Sequence, residues 1–338
     1  MNVVKRLLLL SIDLLLAAGL VLAIYVSAYL LPQEGVPVQK MEEQAAMSDA
    51  VMSNKAVSAE EEKDWHVKFA DQFTDTVVAT DTSYTSPDVA IHLTEHSYDG
   101  GVLDNSEQGK HRKYGTKVSY VLADIYIGDI TCFQTAFAQD MYGIGYSEKL
   151  TDMSARMQSV LAVNGDSYNN NRHKDNGTII RNGVVYRKKQ TDMETCVLNW
   201  DGTMQIYQPQ DMTADTLMEN GAYQSWVFGP SLLDEQGKAK TDFLTWKYIK
   251  ESHPRTAIGY YEPGHYCLLV VDGRQDASRG MFLEEEAVVF EQLGCKVAYN
   301  LDGGHCSFMT LQDKAANHPY KAEHEIPDGI FILDKQSQ

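Results

Sequence analysis

The chain has 338 residues, and 47 acidic against 29 basic side chains give it a net charge of −18. So acidic a surface repels phosphate backbones, which argues against a nucleic-acid-binding protein. Five cysteines without a C-x-x-C spacing also exclude a small disulfide-rich scaffold. The length could hold two average domains, but β-rich folds of this size often form only one.

The first predicted element is a membrane anchor. Residues 7–31 form an almost unbroken apolar run, longer than the ~20 residues that a helix needs to cross a bilayer. Because Lys5 and Arg6 precede this run, residues 1–6 are predicted to be a cytosolic tip and the rest of the chain to be extracytoplasmic, on a single-pass cell-membrane protein. A cleaved signal peptide, with Val26 and Ala28 at the cleavage site, is the alternative.

A linker and one outer domain are predicted next. Residues 32–64 are acidic and lack a sustained apolar period, which predicts a flexible linker. Residues 65–334 form the predicted extracytoplasmic domain. It starts with β-like patterns between 77 and 137, where VAIHL alternates apolar and polar residues and VSYVLADIYIGDI is rich in β-branched and aromatic side chains.

The second half of the domain mixes helices and strands. A short helix is predicted over 151–160 with the strand LAVN after it, and 184–189, 195–200 and 203–207 are predicted to form a meander. The segment 266–304 reads as the strand YCLLVV, the helix LEEEAVVFEQLG and the strand CKVAYN, which implies a right-handed parallel crossover. We therefore expect an α+β domain with a mixed β-sheet and such crossovers packed on it, after one N-terminal transmembrane helix.

Two strand endings carry the same polar pattern. Asn164 and Asp166 follow one predicted strand, and Asn300 and Asp302 follow another. Residues i and i+2 of a strand point to the same face, so each pair should project together. Two carboxylates at strand ends suit acid–base chemistry on a ligand. Ordinary turn formation by Asp in N-G-D and L-D-G-G is the alternative explanation.

Cationic side chains accompany these carboxylates. Asp272 and Arg274 follow the strand YCLLVV, and a parallel crossover would bring Asp272 to the same sheet edge as Asp302. Arg255 lies in HPRTAIG before another apolar segment. A guanidinium binds phosphate oxygens in pairs, so these arginines predict an anion site. A structural salt bridge at Asp272 and an exposed loop arginine at Arg255 are the alternatives.

A glycine-rich loop follows Asp302. Successive N–H groups at Gly303 and Gly304 could form an anion-binding nest, although a simple turn would need glycines too. His305 and Cys306 come next, and His305 is predicted to carry a proton or donate a hydrogen bond to substrate. A thiolate nucleophile at Cys306 is the weaker interpretation, because sequence neighbours rarely have the geometry for activation.

No metal or other cofactor is predicted. His92, Glu95 and His96 match H-x-x-E-H, but that zinc motif needs a helix and the surrounding alternation predicts a strand. Calcium held among the three strand-end aspartates stays an alternative.

Several motifs together resemble the phosphodiester glycosidase family. They are VNGDSY, IIRNGVVYR, FGPSLLDEQGK, HPRTAIG, VVDGR, GMFLEEEA and NLDGG, and they extend over about residues 118–333. That family includes an enzyme that removes N-acetylglucosamine from a phosphodiester on mannose, as well as bacterial envelope and exopolysaccharide proteins. The resemblance implies hydrolysis of a sugar-1-phosphodiester in a cell-envelope or extracellular glycan. The chain departs from the family pattern at Ser167, which delays the aromatic residue to Tyr168, and at His305-Cys306 in the glycine-rich loop.

The resemblance also implies one pocket for most of these residues. We expect Asp166 and Asp302 to be the catalytic pair, with Asp272 orienting Arg274 or joining the acid–base groups. The expected substrate-binding residues are Asn164, Arg255, Thr256, Arg274, Asn300, Gly303, Gly304 and His305. The expected partner is a phosphorylated glycan. The alternatives are a non-catalytic envelope module that binds such a glycan during polysaccharide assembly, and a metal-dependent phosphodiesterase that cuts the P–O bond.

Overall fold

The computed structural model of the protein describes residues 3–27, 35–45, 65–101, 114–169, 176–209 and 211–335. Within the predicted linker, residues 35–45 form the strand Val36–Pro37 and the helix Val38–Ala45. The remainder of that linker lies outside the described residues.

The N-terminal apolar run forms the helix Val3–Tyr25. Among the described residues, no helix combines the length and the apolar character needed to span a membrane. Residues 28–31 of the predicted anchor over 7–31 lie outside the described residues, and the anchor stays a prediction.

Two antiparallel sheets form the body of the domain. The seven-stranded sheet contains, in spatial order, Val297–Asn300, Arg255–Glu262, His265–Val271, Lys117–Ile127, Val89–Asp99, Ser83–Thr85 and Val78–Ala79. The five-stranded sheet contains Lys314–Ala315, Met309–Leu311, Ser159–Asn164, Asp328–Leu333 and Phe133–Phe137. Every ladder in these two sheets is antiparallel.

Smaller elements complete the fold. The strands Met204–Tyr207, Thr195–Asn199 and Ala222–Trp226 form a three-stranded sheet in that order. Two-stranded ribbons pair Ile179–Arg181 with Val184–Arg187, Glu148–Lys149 with Glu325–Ile326, and Val36–Pro37 with Met141–Tyr142. Further helices are Leu150–Met157, Ala214–Glu219, Lys247–Lys250 and Leu283–Leu293, and residues 65–68 are also helical. Short 3₁₀ turns lie at Ile130–Cys132, Ala138–Asp140 and Gly304–Cys306.

The two large sheets pack face to face with a helix on each outer side. Leu268 and Val270 of the seven-stranded sheet belong to one buried cluster with Leu161 and Ile330 of the five-stranded sheet. Leu269 alternates with Leu268 and Val270 along the strand His265–Val271, and it belongs to a second cluster with the helix Leu283–Leu293. A third cluster joins the helix Leu150–Met157 to the outer face of the five-stranded sheet. The strand His265–Val271 is thus covered on both faces, as its nearly continuous apolar sequence predicts.

The predicted crossover is present, but the prediction of a mixed sheet is wrong, because all the ladders of the two large sheets among the described residues are antiparallel. The strands His265–Val271 and Val297–Asn300 run parallel, joined by the helix Leu283–Leu293, which ends at Gly294 with φ 80°. The strand Arg255–Glu262 lies between them and pairs antiparallel with both. The inserted strand therefore supplies the hydrogen bonds that the two parallel strands would otherwise share.

The predicted meander is also only partly correct. Thr195–Asn199 and Met204–Tyr207 form a hairpin, with Gly202 at φ 78° in its turn. The strand Val184–Arg187 instead pairs with Ile179–Arg181 in a separate ribbon. Short strands with similar composition do not encode which neighbour they pair with, so the sequence pattern could not separate the two units.

Candidate active site

A cleft of about 210 Å³ opens at the edge of the seven-stranded sheet where Asp302 emerges. Its walls are formed by Phe228, Tyr248, Ile249, His253, Pro254, Arg255, Arg274, Asp302, Gly303, Gly304 and His305. The cleft thus combines one carboxylate, two guanidinium groups, an imidazole at each side and an aromatic wall. Such a set of polar groups converging in a concave site is typical of a small-molecule pocket.

Asp302 is the carboxylate of this cleft. Its Oδ1 accepts a hydrogen bond from the Gly303 N–H at 2.9 Å, and the side chains of Ser167 and Cys306 also hydrogen-bond to it. Burial raises the pKa of Asp302 to about 6, assisted by the negative charge of Asp166 and opposed by these hydrogen bonds. A carboxyl group that titrates near neutral pH can exchange a proton during a reaction.

Asp166 lies behind the cleft and is fully buried. Its carboxylate accepts hydrogen bonds from the backbone N–H groups of Val227 at 2.8 Å and Phe228 at 3.1 Å. Burial raises its pKa, while Arg181, 3.7 Å from Oδ2, acts in the opposite direction. Asp166 and Asp302, the predicted catalytic pair, therefore interact electrostatically. Of the two, Asp302 lines the cleft.

Asp328 and Arg181 complete this cluster, and neither was predicted as a site residue. The Arg181 guanidinium donates to Asp328 Oδ2 from Nε at 3.1 Å and from Nη2 at 2.6 Å, and both residues are about 1% exposed. Burial raises the pKa of Asp328 to about 7, with Asp166 and Asp302 contributing in the same direction. Arg181 lies in the motif IIRNG, so the sequence contained a signal for it; Asp328 begins a strand with no comparable signal.

Asn164 connects the two sheets beneath the cleft. Its Nδ2 donates to the Asp302 carbonyl oxygen at 2.7 Å, and its Oδ1 accepts from the Thr256 hydroxyl at 2.6 Å. Asn300 Nδ2 donates to the Gly229 carbonyl oxygen at 2.7 Å. These three predicted substrate-binding residues are buried, so the structure places them as supports of the Asp302 loop rather than in the cleft wall.

Arg274 provides a cation in the cleft wall. Its Nη1 donates to the Tyr320 hydroxyl at 2.9 Å, and its Nη2 lies 3.3 Å from the Tyr248 hydroxyl and 3.2 Å from His253 Nδ1. The residue itself has φ 58°, which is uncommon for a residue with a side chain. The two tyrosines and the histidine hold the guanidinium beside Gly304, 3.1 Å from the position that a Cβ would take there.

Arg255 also lines the cleft, but its guanidinium mainly contacts backbone carbonyl groups. Nε donates to the Met281 oxygen at 3.0 Å, and Nη2 donates to the oxygens of Ile249 and Glu251 at 2.7 and 2.6 Å. The fully buried Glu286 lies 4.0 Å from Nε, and burial raises the pKa of that carboxyl group to about 8. Arg255 therefore holds the wall segment 249–251 in place in addition to lining the cleft.

The glycine-rich loop does not form the predicted anion nest. The Gly303 N–H donates to Asp302 Oδ1, and the Gly304 N–H donates to the Pro254 carbonyl oxygen at 2.9 Å. Both predicted donors are thus engaged within the protein. The glycines serve close packing instead, because a Cβ at Gly303 would come within 2.7 Å of the Pro254 oxygen.

His305 and Cys306 face different sides of this loop. The His305 ring stacks on His324, with centroids 4.6 Å apart, and its Nε2 lies 2.9 Å from the Ala322 carbonyl oxygen. Burial and the Asp302 carboxylate raise the pKa of the Cys306 thiol well above its usual value. A thiolate nucleophile at Cys306 is therefore disfavoured, whereas His305 remains in the cleft wall as predicted.

Asp272 belongs to a second cavity. Its Oδ1 accepts hydrogen bonds from Asn317 Nδ2 at 3.0 Å and the His318 N–H at 2.9 Å, and Oδ2 lies 3.4 Å from the Ser119 hydroxyl. This cavity of about 220 Å³ is lined by Glu95, His96, Ser97, Ser119, Tyr120, Val121, Asp272 and His318. The expected pocket shared by all three aspartates, and with it a calcium site made by them, is therefore not formed.

Among the described ranges, no group of three or more His, Cys, Asp or Glu side chains is arranged to hold a metal ion. His92 and His96 lie in the strand Val89–Asp99, as the alternation predicts, and His96 stacks on Tyr120 with centroids 4.8 Å apart.

A sequence profile of the phosphodiester glycosidase family matches residues 157–333, which is just over half of the chain. The chain belongs to the phosphodiester glycosidase family. A curated relative, the SPbeta prophage-derived uncharacterized protein YomE of Bacillus subtilis, is 32% identical over 193 residues. That match covers 56% of this phosphodiester glycosidase chain but only 29% of the relative's length.

Two solved structures share the fold of this family member. The zebrafish N-acetylglucosamine-1-phosphodiester α-N-acetylglucosaminidase catalytic domain, auto-inhibited by its pro-peptide, matches with a TM-score of 0.56 and 18% identity, over 74% of this chain and 90% of that one. A hypothetical protein from Synechocystis matches with a TM-score of 0.52 and 12% identity, over 73% and 62% of the two chains. At such low identity, these likenesses concern the fold alone.

Proposed function

We propose that this phosphodiester glycosidase family member hydrolyses the bond between the anomeric carbon of a sugar and a phosphodiester oxygen. The observation that supports the proposal is the cleft in which the Asp302 carboxylate and the Arg274 guanidinium line the same space. A glycosyl phosphodiester offers a negative phosphate for the guanidinium and an electrophilic anomeric carbon for a carboxylate-assisted water. The substrate in this proposal is a phosphorylated glycan of the cell envelope or extracellular space.

Arg274 binds the phosphate in this scheme. Its guanidinium is held by Tyr320, Tyr248 and His253, so its orientation is set before substrate arrives. Such preorganisation lets the cation stabilise the negative charge that grows on the phosphate oxygen as the C–O bond breaks. His305 also lines the cleft and is the residue that contacts the sugar in this scheme.

Asp302 activates the water. A phosphate monoester is a good leaving group without protonation, so a general base gains more than a general acid here. Water attacks the anomeric carbon, Asp302 accepts the proton, and the C–O electron pair leaves with the phosphate. Burial, with a smaller contribution from the negative charge of Asp166, raises the pKa of Asp302 to about 6, which is close to working pH. Activity should therefore rise as pH increases through about 6.

Product analysis of the purified full chain tests the proposal. On a panel of glycosyl-1-phosphodiesters, we expect a free sugar and a phosphate monoester, with no effect of a chelator. A sugar phosphate as product, or loss of turnover with chelator, would instead identify a metal-dependent phosphodiesterase. Tight binding in calorimetry with no sugar release would favour a glycan-binding module, an alternative that the contact of the Cys306 thiol with the Asp302 carboxylate makes worth testing.

A further inference from the structure

Two buried carboxyl groups, those of Asp166 and Asp328, share the Arg181 cation behind the cleft. The Arg181 guanidinium binds Asp328 Oδ2 through two N–H groups and lies 3.7 Å from Asp166 Oδ2. Its Nη1 donates to the carbonyl oxygens of Ile180 and Ser225, so the whole guanidinium is engaged in the protein interior. Asp302 acts electrostatically on this pair from the cleft wall, and Arg187 also acts on Asp166. Two positive charges do not balance three ionised carboxylates, so a proton is shared among the three carboxyl groups.

Gly165 brings the third carboxyl group, that of Asp302, next to this pair. The Asp302 N–H donates to the Gly165 carbonyl oxygen at 3.2 Å, and the Gly165 N–H donates to the Asp328 carbonyl oxygen at 3.0 Å. A Cβ at Gly165 would lie 2.8 Å from Asp328 Oδ1. Only glycine allows the Asp302 loop and the strand beginning at Asp328 to approach so closely.

Asp328 Oδ1 is the atom best placed to carry the shared proton. It is buried, and it has no hydrogen-bond partner in the part of the chain that the structure describes, whereas Oδ2 accepts both Arg181 bonds. An ionised carboxylate with one oxygen unsolvated in the interior is costly, and a protonated oxygen removes that cost.

We propose that Asp328, through the guanidinium that it shares with Asp166, is a positioning residue that sets the protonation state of Asp302 in the cleft. This inference rests on the proposed function only for its consequence in turnover. When Asp328 releases its proton, the added negative charge makes ionisation of Asp302 harder. When Asp328 holds the proton, the Arg181 charge is balanced by Asp166 and Asp302 ionises more readily. The charged and titratable groups that act on Asp328 from the packed elements are Arg181, Asp166, Asp302 and Tyr168.

The first test measures Asp302 directly, without turnover. In full-length protein with ¹³C-labelled aspartate carboxyl groups, the Asp302 resonance is assigned by its loss in Asp302→Asn and then followed against pH. In the unsubstituted protein we expect two inflections, one from Asp302 and one from its coupled neighbour. A single inflection at the pH usual for an exposed aspartate would overturn the proposal.

Two variants should move that titration in opposite directions. Asp328→Asn removes a negative charge, so the Asp302 midpoint should fall by about one pH unit. Arg181→Gln removes the cation, so the midpoint should rise by a similar amount. The control Asp215→Asn removes an equal charge from an exposed site and should leave the midpoint unchanged. Equal midpoints in all folded variants would overturn the proposal, and if both buried variants fail to fold, the two-inflection test on the unsubstituted protein decides it.

The pH profile of turnover separates this inference from the proposed function. With an active substrate, kcat/KM should rise with pH at the titration midpoint of Asp302. In Asp328→Asn this rise should shift to lower pH, with little change in phosphate binding. If no glycosyl-1-phosphodiester is cleaved, the proposed function fails while the carboxyl titration still tests the coupling. If the Asp302 midpoint shifts and the pH profile of kcat/KM does not, Asp328 has no influence on the reaction.

Discussion

Asp272 and Asp302 end two parallel strands joined by one helix, yet they have different surroundings. Asp302 lines the cleft with Arg274 and His305, whereas Asp272 lies in a second cavity with Ser119 and His318. Sharing an edge of the sheet is therefore not sufficient for two side chains to share a pocket. The intervening strand Arg255–Glu262 separates the two strand ends, and the loops that follow them pack against different partners.

The hydrogen bonds of the two aspartates show the same difference. Asp272 accepts bonds from Asn317, His318 and Ser119 within its cavity, which ties the strand end to the segment 317–318. Asp302 accepts from its own loop, at Gly303 and Cys306, and keeps a side open to the cleft. We interpret Asp272 as a structural carboxylate and Asp302 as the reactive one.

The largest expected difference concerns turnover. Asp302→Asn should lower kcat on a glycosyl-1-phosphodiester by roughly 10²–10⁴-fold, the range associated with loss of a general base. Asp272→Asn is the matched control and should change kcat by less than about threefold, because its contacts lie outside the cleft. Release of free sugar measures both variants. Equal losses in the two variants would refute the distinction between these aspartates.

The next largest effect is expected in the pH dependence of stability. Buried carboxyl groups whose folded pKa is raised, at Asp302, Asp328 and Glu286, bind protons more tightly in the folded state than in the unfolded one. Their contribution is fully present below the unfolded pKa of about 4 and is lost as pH rises through about 6, 7 and 8. Urea unfolding should therefore show a free energy of unfolding that falls over this interval.

Single substitutions check which groups cause this fall. Asp328→Asn and Glu286→Gln should each flatten the pH dependence, whereas the exposed Asp215→Asn should leave its slope unchanged. An unfolding free energy that rises between pH 5 and 8 would contradict the assignment of protons to these buried groups.

Substrate binding should be affected less than catalysis. Arg274→Met should raise KM about tenfold to a hundredfold, because it removes charge-assisted hydrogen bonds worth about 1.5–3 kcal/mol. Arg274→Lys should recover part of this loss, and Lys321→Met, which removes an exposed cation near Tyr320, should leave KM unchanged. A loss confined to kcat would show that Arg274 acts outside ground-state phosphate binding.

The smallest effect is expected on the stability of the second cavity. Asp272→Ala should lower the free energy of unfolding by about 1 kcal/mol, because it removes the acceptor of the hydrogen bonds from Asn317 and His318. Chemical denaturation at pH 7 measures this change, with Ser119→Ala as a milder control. A stability unchanged by Asp272→Ala would contradict the structural role of this carboxylate.

Local sequence signals predicted the elements that carry the site. The apolar run His265–Val271, the helix Leu283–Leu293 with Gly294 after it, and the strand ending at Asn300 have patterns that their own residues enforce. The same patterns predict Asp302, Arg274 and His305, which line the cleft in the structure, and Asp166, which lies behind it. The helix predicted over 151–160 ends at Met157 in the structure, because Ser159 already pairs into the five-stranded sheet.

The sequence by itself determined which residues end strands, where chains of apolar residues form the core, and which family the motifs resemble. Tertiary structure decided which of those ends meet: it inserted Arg255–Glu262 between the parallel strands, moved Asp272 to a separate cavity, and placed Arg181 and Asp328 behind Asp302. The reason is physical, because the residues of a strand determine its own pleat and length. Strand order and the pairing of buried charges depend instead on contacts between segments that are far apart in the sequence. Arg181 and Asp328, for example, are separated by 147 positions.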